Sequence, residues 1–396
     1  MKRELLRSFI AAIVISLTLN ACGTLSTWEA EPPKERIEPD LSNLPQEVES
    51  LAGPLTRQGQ TPGLIVGLLL PDGSCRFFGY GSTTSGGGET PGPDTLFAVG
   101  SLSKGFLGGI TATLVQEKRL SWSDTLPALL PPGTPLSSDA ARISLEQLAT
   151  HTSGLPRQPA TLRTLAYFVE YLFTGDNFYR HLDRDTVLDY LSDFSAPSDP
   201  NPQYSNIGYG ILGDVVERRT GQTLDELLAQ RITGPLGLPH TGYDPEKLPG
   251  YASRAIGHAG DQPKFIRRGE PVPDWRMTGI MRGSAAIYST ARDLLNFAGA
   301  HVRKDGSPLS SALAGNLRIR FARPREAAAI AWIADDVGDT RILYQVGLIA
   351  GYTSYLAVNE TNGTAVVVLQ NAFNWDYSLG HKLMLLLATP PKIQSE

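Results

Sequence analysis

Between residues 96 and 115 the chain passes from a short apolar run, which reads as a strand end, into a segment that can be helical only if other elements surround it. Gly105, Gly108 and Gly109 each cost up to ~1 kcal/mol relative to alanine in a helix interior. Phe106, Leu107, Ile110, Leu114 and Val115 spread apolar surface over most of the circumference, so the helix must be central, buried and closely approached at its glycines. Ser101 stands at the junction. If the helix opens there, Lys104 lies one turn on and shares its face. A serine hydroxyl attacks well only when a neighbour takes its proton, and a lysine desolvated in a cleft can do so. Unsatisfied N–H groups and the positive end of the helix dipole at the same place suit a developing oxyanion.

The two ends of the chain read as strands. Residues 63–70 and 75–80 flank Pro71-Asp72-Gly73-Ser74, a hairpin tip, and residues 341–348, 353–358 and 364–370 are apolar and β-branched, with Asn362-Gly363 between the last two. Helical periodicity marks 46–60, 144–150, 185–194, 207–219, 291–302 and 377–388, and Thr223-Leu224-Asp225-Glu226 is a capping box. Residues 126–135 read as a Pro-rich loop, 157–200 as broadly helical, and 243–276 show no period. The expected fold is therefore α/β: an antiparallel sheet built from both chain ends, flanked by helices, with a mostly helical subdomain inserted.

Lys2, Arg3 and Arg7 precede an uncharged run over residues 8–19, too short to span a bilayer, and then Leu19-Asn20-Ala21-Cys22. Residues 1–21 read as a lipoprotein signal peptide with Cys22 as the lipidated mature N-terminus, residues 22–45 as a tether and 46–390 as the globular part. The protein is expected in a bacterial envelope, facing the periplasm and held by its lipid, with Gly23 favouring the outer membrane. Cys75 is the only other cysteine, so the fold stands on its core without a disulfide. A net charge of −5 with no basic cluster argues against nucleic acid. The six histidines show no metal-binding spacing, and neither a metal nor a cofactor is implied. No G-x-S-x-G elbow occurs. The partner implied is a small molecule or peptide, and nothing in the pattern specifies an oligomeric state.

Ser101-Leu102-Ser103-Lys104, Tyr204-Ser205-Asn206 and residues 347–355, in that order and with His151-Thr152-Ser153-Gly154-Leu155-Pro156 between the first two, resemble the serine β-lactamase and penicillin-binding-protein superfamily. The match is to its class C β-lactamase-like branch, which holds D-alanyl-D-alanine carboxypeptidase/endopeptidases of the AmpH type and some esterases. The resemblance implies Ser101 as the acylated nucleophile, Lys104 as its proton acceptor and Tyr204 as a proton shuttle tuned by the Lys104 charge. It also implies an oxyanion hole from the backbone N–H groups of Ser101 and Leu348, substrate contacts at Asn206, Gln345 and Gly347, and a second role for Asn206 in orienting Lys104. His151 is expected to be a positioned loop residue. The third motif departs from the family: Gln345-Val346-Gly347 stands where Lys-Thr-Gly or His-Thr-Gly is usual. The cation and hydroxyl that meet a substrate carboxylate are both replaced. Arg341 is four residues along the strand, about 13 Å, so any substitute cation is expected on another segment, such as Arg157 or Arg282. Hydrolysis of peptidoglycan D-amino-acid peptides is the first expectation. A carboxylesterase, or a catalytically weak penicillin-binding or envelope-interaction protein, are the alternatives.

Overall fold

The computed structural model describes residues 43–388 except 199–201, 278, 304, 323–325 and 339. The signal-peptide segment and Cys22 lie outside the described residues. Helix α1 (Leu44–Arg57) opens the described chain, two residues earlier than its periodicity suggested, because Pro45 falls at the first helical positions where no N–H is required. The helix thus includes residues 44 and 45, which the sequence assigned to the tether.

Strands β1 (Gly63–Leu69) and β2 (Cys75–Gly81) follow as the hairpin. From the other end of the chain come β5 (Phe321–Ala322), β6 (Glu326–Ala328), β7 (Ile333–Val337), β8 (Thr340–Ile349), β9 (Tyr352–Asn359) and β10 (Thr364–Gln370). They form one antiparallel sheet in the order β2-β1-β10-β9-β8-β7-β6-β5, so the expected assembly from both termini holds. The seam is β1 against β10, with Val66 opposite Val368. Alternate residues of these strands enter different cores. Leu64, Val66 and Leu68 pack with α1 and with the last helix, Ser378–Ala388. Ile65 and Leu69 pack with the inserted helices on the other face. Both faces being covered, β1 and β10 are buried along their whole length, which is why they read as unbroken apolar runs.

Within the insertion, α2 (Ser103–Gln116) is the central helix, buried from Ser103 to Leu114. A 3₁₀ turn, Gly100–Leu102, precedes it, so Ser101 lies just before the α-helix and not within it. Gly105, Gly108 and Gly109 face Gln345, Ile330 and Leu313 at distances that a Cβ would close, the close approach their clustering required. Then come α3 (Leu126–Leu129), α4 (Leu145–Ala149), α5 (Leu162–Thr174), α6 (Arg184–Ser192), α7 (Asn206–Thr220) and α8 (Leu224–Leu228). The one-turn α3 replaces part of the loop expected over 126–135, with Pro127 again in its first turn. Capping boxes open α4 and α8. A two-residue ribbon pairs β3 (Phe97–Ala98) with β4 (Tyr288–Ser289), between α9 (Arg282–Ala285) and α10 (Ala291–Val302). This ribbon ties the strand before Ser101 to a segment almost 200 residues later in the chain.

Candidate active site

Ser101 is held half-exposed at a backbone corner. Gly100 has φ +52°, and a Cβ there would meet the Ile349 side chain at 3.1 Å and the Leu348 nitrogen at 3.2 Å. The left-handed conformation and the tight contact both select glycine. Ser103 locks the turn, its hydroxyl donating to the Gly100 carbonyl at 2.6 Å and accepting from the Ile287 N–H at 3.0 Å. From the other side β8 closes in. At Gly347 a Cβ would sit 2.1 Å from the Val99 carbonyl oxygen, and Ser354 donates to that same oxygen at 2.8 Å. Gly347, expected as a substrate contact, is also the position that lets β8 reach the Ser101 turn and sets the Leu348 amide beside it. That placement suits the oxyanion pair expected from Ser101 and Leu348.

Lys104 is 2 % exposed. Its Nζ lies 2.9 Å from Ser101 Oγ, 3.0 Å from Asn206 Oδ1 and 2.8 Å from the Ser284 carbonyl oxygen. The two carbonyl oxygens can only accept; the serine can also donate. A neutral amine has two N–H groups and one lone pair, so once the carbonyls are served the lone pair is left facing the Ser101 hydroxyl. Burial drives Lys104 well below the ordinary lysine range, and the nearby Arg157 charge adds to the effect. Geometry and electrostatics thus both favour a neutral lysine poised to take the serine proton.

Tyr204 lies beside Lys104, its ring centre 4.9 Å from Nζ, with its phenol towards the Ser101 hydroxyl. Burial raises its pKa to about 12, opposed first by the Arg157 charge and then by the Ser101 hydrogen bond. Here the expectation needs correction. The Lys104 ammonium was to tune the phenol, yet a lysine driven towards neutrality supplies little charge. Arg157 does so instead, its guanidinium carbon 4.7 Å from the Tyr204 ring centre, against 4.9 Å for Lys104 Nζ. The tyrosine therefore remains protonated at neutral pH, able to donate.

The Tyr204 loop is stitched to the His151 loop. The Gln203 N–H donates to the His151 carbonyl at 2.7 Å, the Ser205 N–H to His151 Nδ1 at 3.1 Å, and the Ser205 hydroxyl to the Pro156 carbonyl at 2.8 Å. That hydroxyl also caps α7, accepting from the Gly208 N–H at 2.9 Å. His151 has φ +60° and stacks on Tyr204 with ring centres 4.3 Å apart. Burial, with Lys104 and Arg157, holds it well below its usual pKa. It is a neutral acceptor that positions the loop, as its sequence context suggested.

Asn206 orients Lys104 as expected, whereas Gln345, expected to meet substrate, is buried. Asn206 holds Lys104 through Oδ1, but its amide group donates to the Tyr179 hydroxyl at 2.9 Å, and Tyr179 reaches Gln158 at 3.3 Å. Gln345 is 3 % exposed and lies against Gly105, with neither amide heteroatom hydrogen-bonded among the described residues. Tyr179 and the Ser284 carbonyl were not foreseen. A backbone acceptor carries no residue signature, and Tyr179 is one ring in an aromatic run.

A serine with a neutral lysine, a protonated tyrosine and a strand amide beside the turn, on an antiparallel sheet built from both chain ends, is an arrangement suited to acyl transfer. The chain belongs to the Beta-lactamase family, whose model matches residues 48–389, and it is a β-lactamase-related serine hydrolase. It is 26% identical over 326 residues to the D-alanyl-D-alanine-carboxypeptidase/endopeptidase AmpH of Escherichia coli (strain K12), covering 77% of this chain and 79% of that one. It is 28% identical over 341 residues to penicillin-binding protein 4 of Amycolatopsis lactamdurans, covering 80% and 82%. The fold matches the β-lactamase/D-alanine carboxypeptidase of Pseudomonas syringae with a TM-score of 0.71 at 21% identity, over 88% of this chain and 99% of that one.

Proposed function

We propose that the protein hydrolyses acyl-D-amino-acid peptides of peptidoglycan through an acyl-enzyme on Ser101. Ser101 Oγ attacks the scissile carbonyl while Lys104 Nζ takes its proton. The oxyanion forms between the Ser101 and Leu348 N–H groups, donors whose individual loss costs about 10²–10³ in rate in such sites. Tyr204 passes a proton to the departing amine, and water then attacks the ester with the tyrosine and lysine in reversed roles. The observation that carries this reading is the Lys104 amine, buried and bonded to two obligate acceptors, with Ser101 at its remaining position. The similarity to AmpH and penicillin-binding protein 4 supports the peptide substrate. An esterase is the second reading, favoured by Gln345, a neutral and buried side chain where a carboxylate-binding cation is usual.

Fluorescent penicillin and a short-chain chromogenic ester, offered side by side, test the two. Penicillin adducts on the Ser101 peptide together with D-alanine release from an acyl-D-Ala-D-Ala peptide are expected. Ester turnover without peptide cleavage selects the esterase, and an adduct on Ser153 in place of Ser101 overturns the mechanism. We propose further that Cys22 carries lipid and tethers the enzyme to the periplasmic face of the envelope, on the strength of the basic start, short apolar run and Leu19 to Cys22. Labelled fatty acid should enter the wild type and not Cys22→Ala.

A further inference from the structure

Replacement of the usual strand cation by Gln345 leaves open which charge, if any, meets an anionic substrate. Arg341, on the same strand, is bound to Asp336 at 2.8 Å, and Arg282 to Asp225 at 2.6 Å. Arg157 is differently placed. Its guanidinium lies over the Tyr204 ring at 4.7 Å, the residue is half-buried, and among the described residues it has no ion pair with a carboxylate. Its backbone is fixed on both sides, the Asn206 N–H donating to the Arg157 carbonyl at 3.2 Å and the Ser205 hydroxyl to that of Pro156 at 2.8 Å. The side chain thus starts from a held point beside the second motif. A guanidinium resting on an aromatic face is weakly hydrated and keeps donors for a planar, bidentate partner, the pairing in which arginine exceeds lysine.

We propose that Arg157 receives the substrate carboxylate, on the Tyr204 side of the cleft, in place of the strand residue at position 345. The ligand class is an acyl peptide whose departing residue bears a free carboxylate, because Tyr204 is the group that serves the leaving amine. This assignment of the leaving-group side rests on the peptidase reading above. Recognition has then moved from the sheet to the loop after His151, while the nucleophile and base have stayed in place. The arginine that reads the anion also adds the positive charge that discourages protonation of Lys104.

The test compares acid and neutral partners of the same acyl donor on purified full-length protein. Rates of Ser101 adduct formation are measured by intact mass for benzylpenicillin and its methyl ester, and hydrolysis is followed for an acyl-D-Ala-D-Ala peptide and its C-terminal amide. Arg157→Ala should lower the acid-to-neutral ratio about tenfold in both pairs, the size expected for losing a charge-assisted bidentate contact. Arg157→Lys should recover part of it. A ratio unchanged in Arg157→Ala overturns the proposal, including when both rates fall together, since that means Arg157 acts only through Tyr204 or Lys104. Wild type that is acylated by the ester and not by the acid overturns it as well. If the penicillin ratio responds to Arg157→Ala while neither peptide is cleaved, Arg157 keeps its role and the peptidase reading is the one that fails.

Discussion

Lys104, on α2, and Gln345, on β8, are two buried polar side chains, 2 % and 3 % exposed, and their circumstances are opposite. Lys104 has a partner for every position its amine can offer. Gln345 abuts the next residue along the helix, Gly105, and neither amide heteroatom has a hydrogen-bond partner among the described residues. A buried polar group without a partner costs about 1–3 kcal/mol, so the two sites reflect different constraints. Around Lys104 three segments far apart in sequence converge on one protonation state. At Gln345 the strand only fills space. The proposed base is thus fixed from several sides, while Gln345 on the strand beside it is held by packing alone.

The sharpest way to break this contrast is to remove the base. Lys104→Ala should slow Ser101 acylation by about 10²–10⁴-fold, the range for a positioned general base, read by adduct formation with a fluorophosphonate. A loss below tenfold would mean another group takes the proton. Next in size is Gly347→Ala, whose methyl would meet the Val99 carbonyl at 2.1 Å and force β8 away from the nucleophile turn. Overpacking of about 1–3 kcal/mol is expected in the melting temperature, with kcat falling by up to about 10²-fold as the Leu348 amide shifts. Unaltered kcat would remove that amide from the oxyanion hole.

The pH profile probes the electrostatics more gently. Lys104 must be neutral to accept the proton, and its pKa is depressed, so kcat/KM rises with pH through that depressed value and is level above it. Removing the Arg157 charge takes away one of the depressing influences, so in Arg157→Ala the acid limb should move to higher pH; a shift to lower pH would contradict the sign. Tyr204, raised to about 12, should add no falling limb near neutrality. The smallest effect belongs to the recognition strand. Gln345→Met exchanges an unsatisfied buried amide for an apolar chain of similar length and should stabilise the protein by about 1 kcal/mol, seen as a raised melting temperature. Destabilisation would show that the amide has a partner.

Much of this was legible in the residues. Apolar and β-branched runs marked the strands at 63–70, 353–358 and 364–370, since burial on both faces leaves a local trace. The capping box at Thr223 and the Gly221 stop of α7 are equally local. The edge strands β5 to β7 were not anticipated, nor was α11 (Pro308–Asn316): they are short, and pairing with β8 or packing on α2 decides them more than propensity does.

The site divides along the same line. Ser101 and Lys104 are three residues apart, so helical geometry alone puts them on one face, and Tyr204 and Asn206 stand at a recognisable helix start. Sequence by itself determined those four, together with the buried glycine-rich helix that carries the base. The folded chain decided the rest: the Ser284 carbonyl on Lys104, Tyr179 on Asn206, Arg157 over Tyr204, and the inward burial of Gln345. Each of these depends on contacts across tens to hundreds of residues, where loop closure and packing fix the partner and no spacing rule applies. The protonation states of Lys104 and Tyr204 follow the same logic, because desolvation belongs to the assembled core and not to the residue.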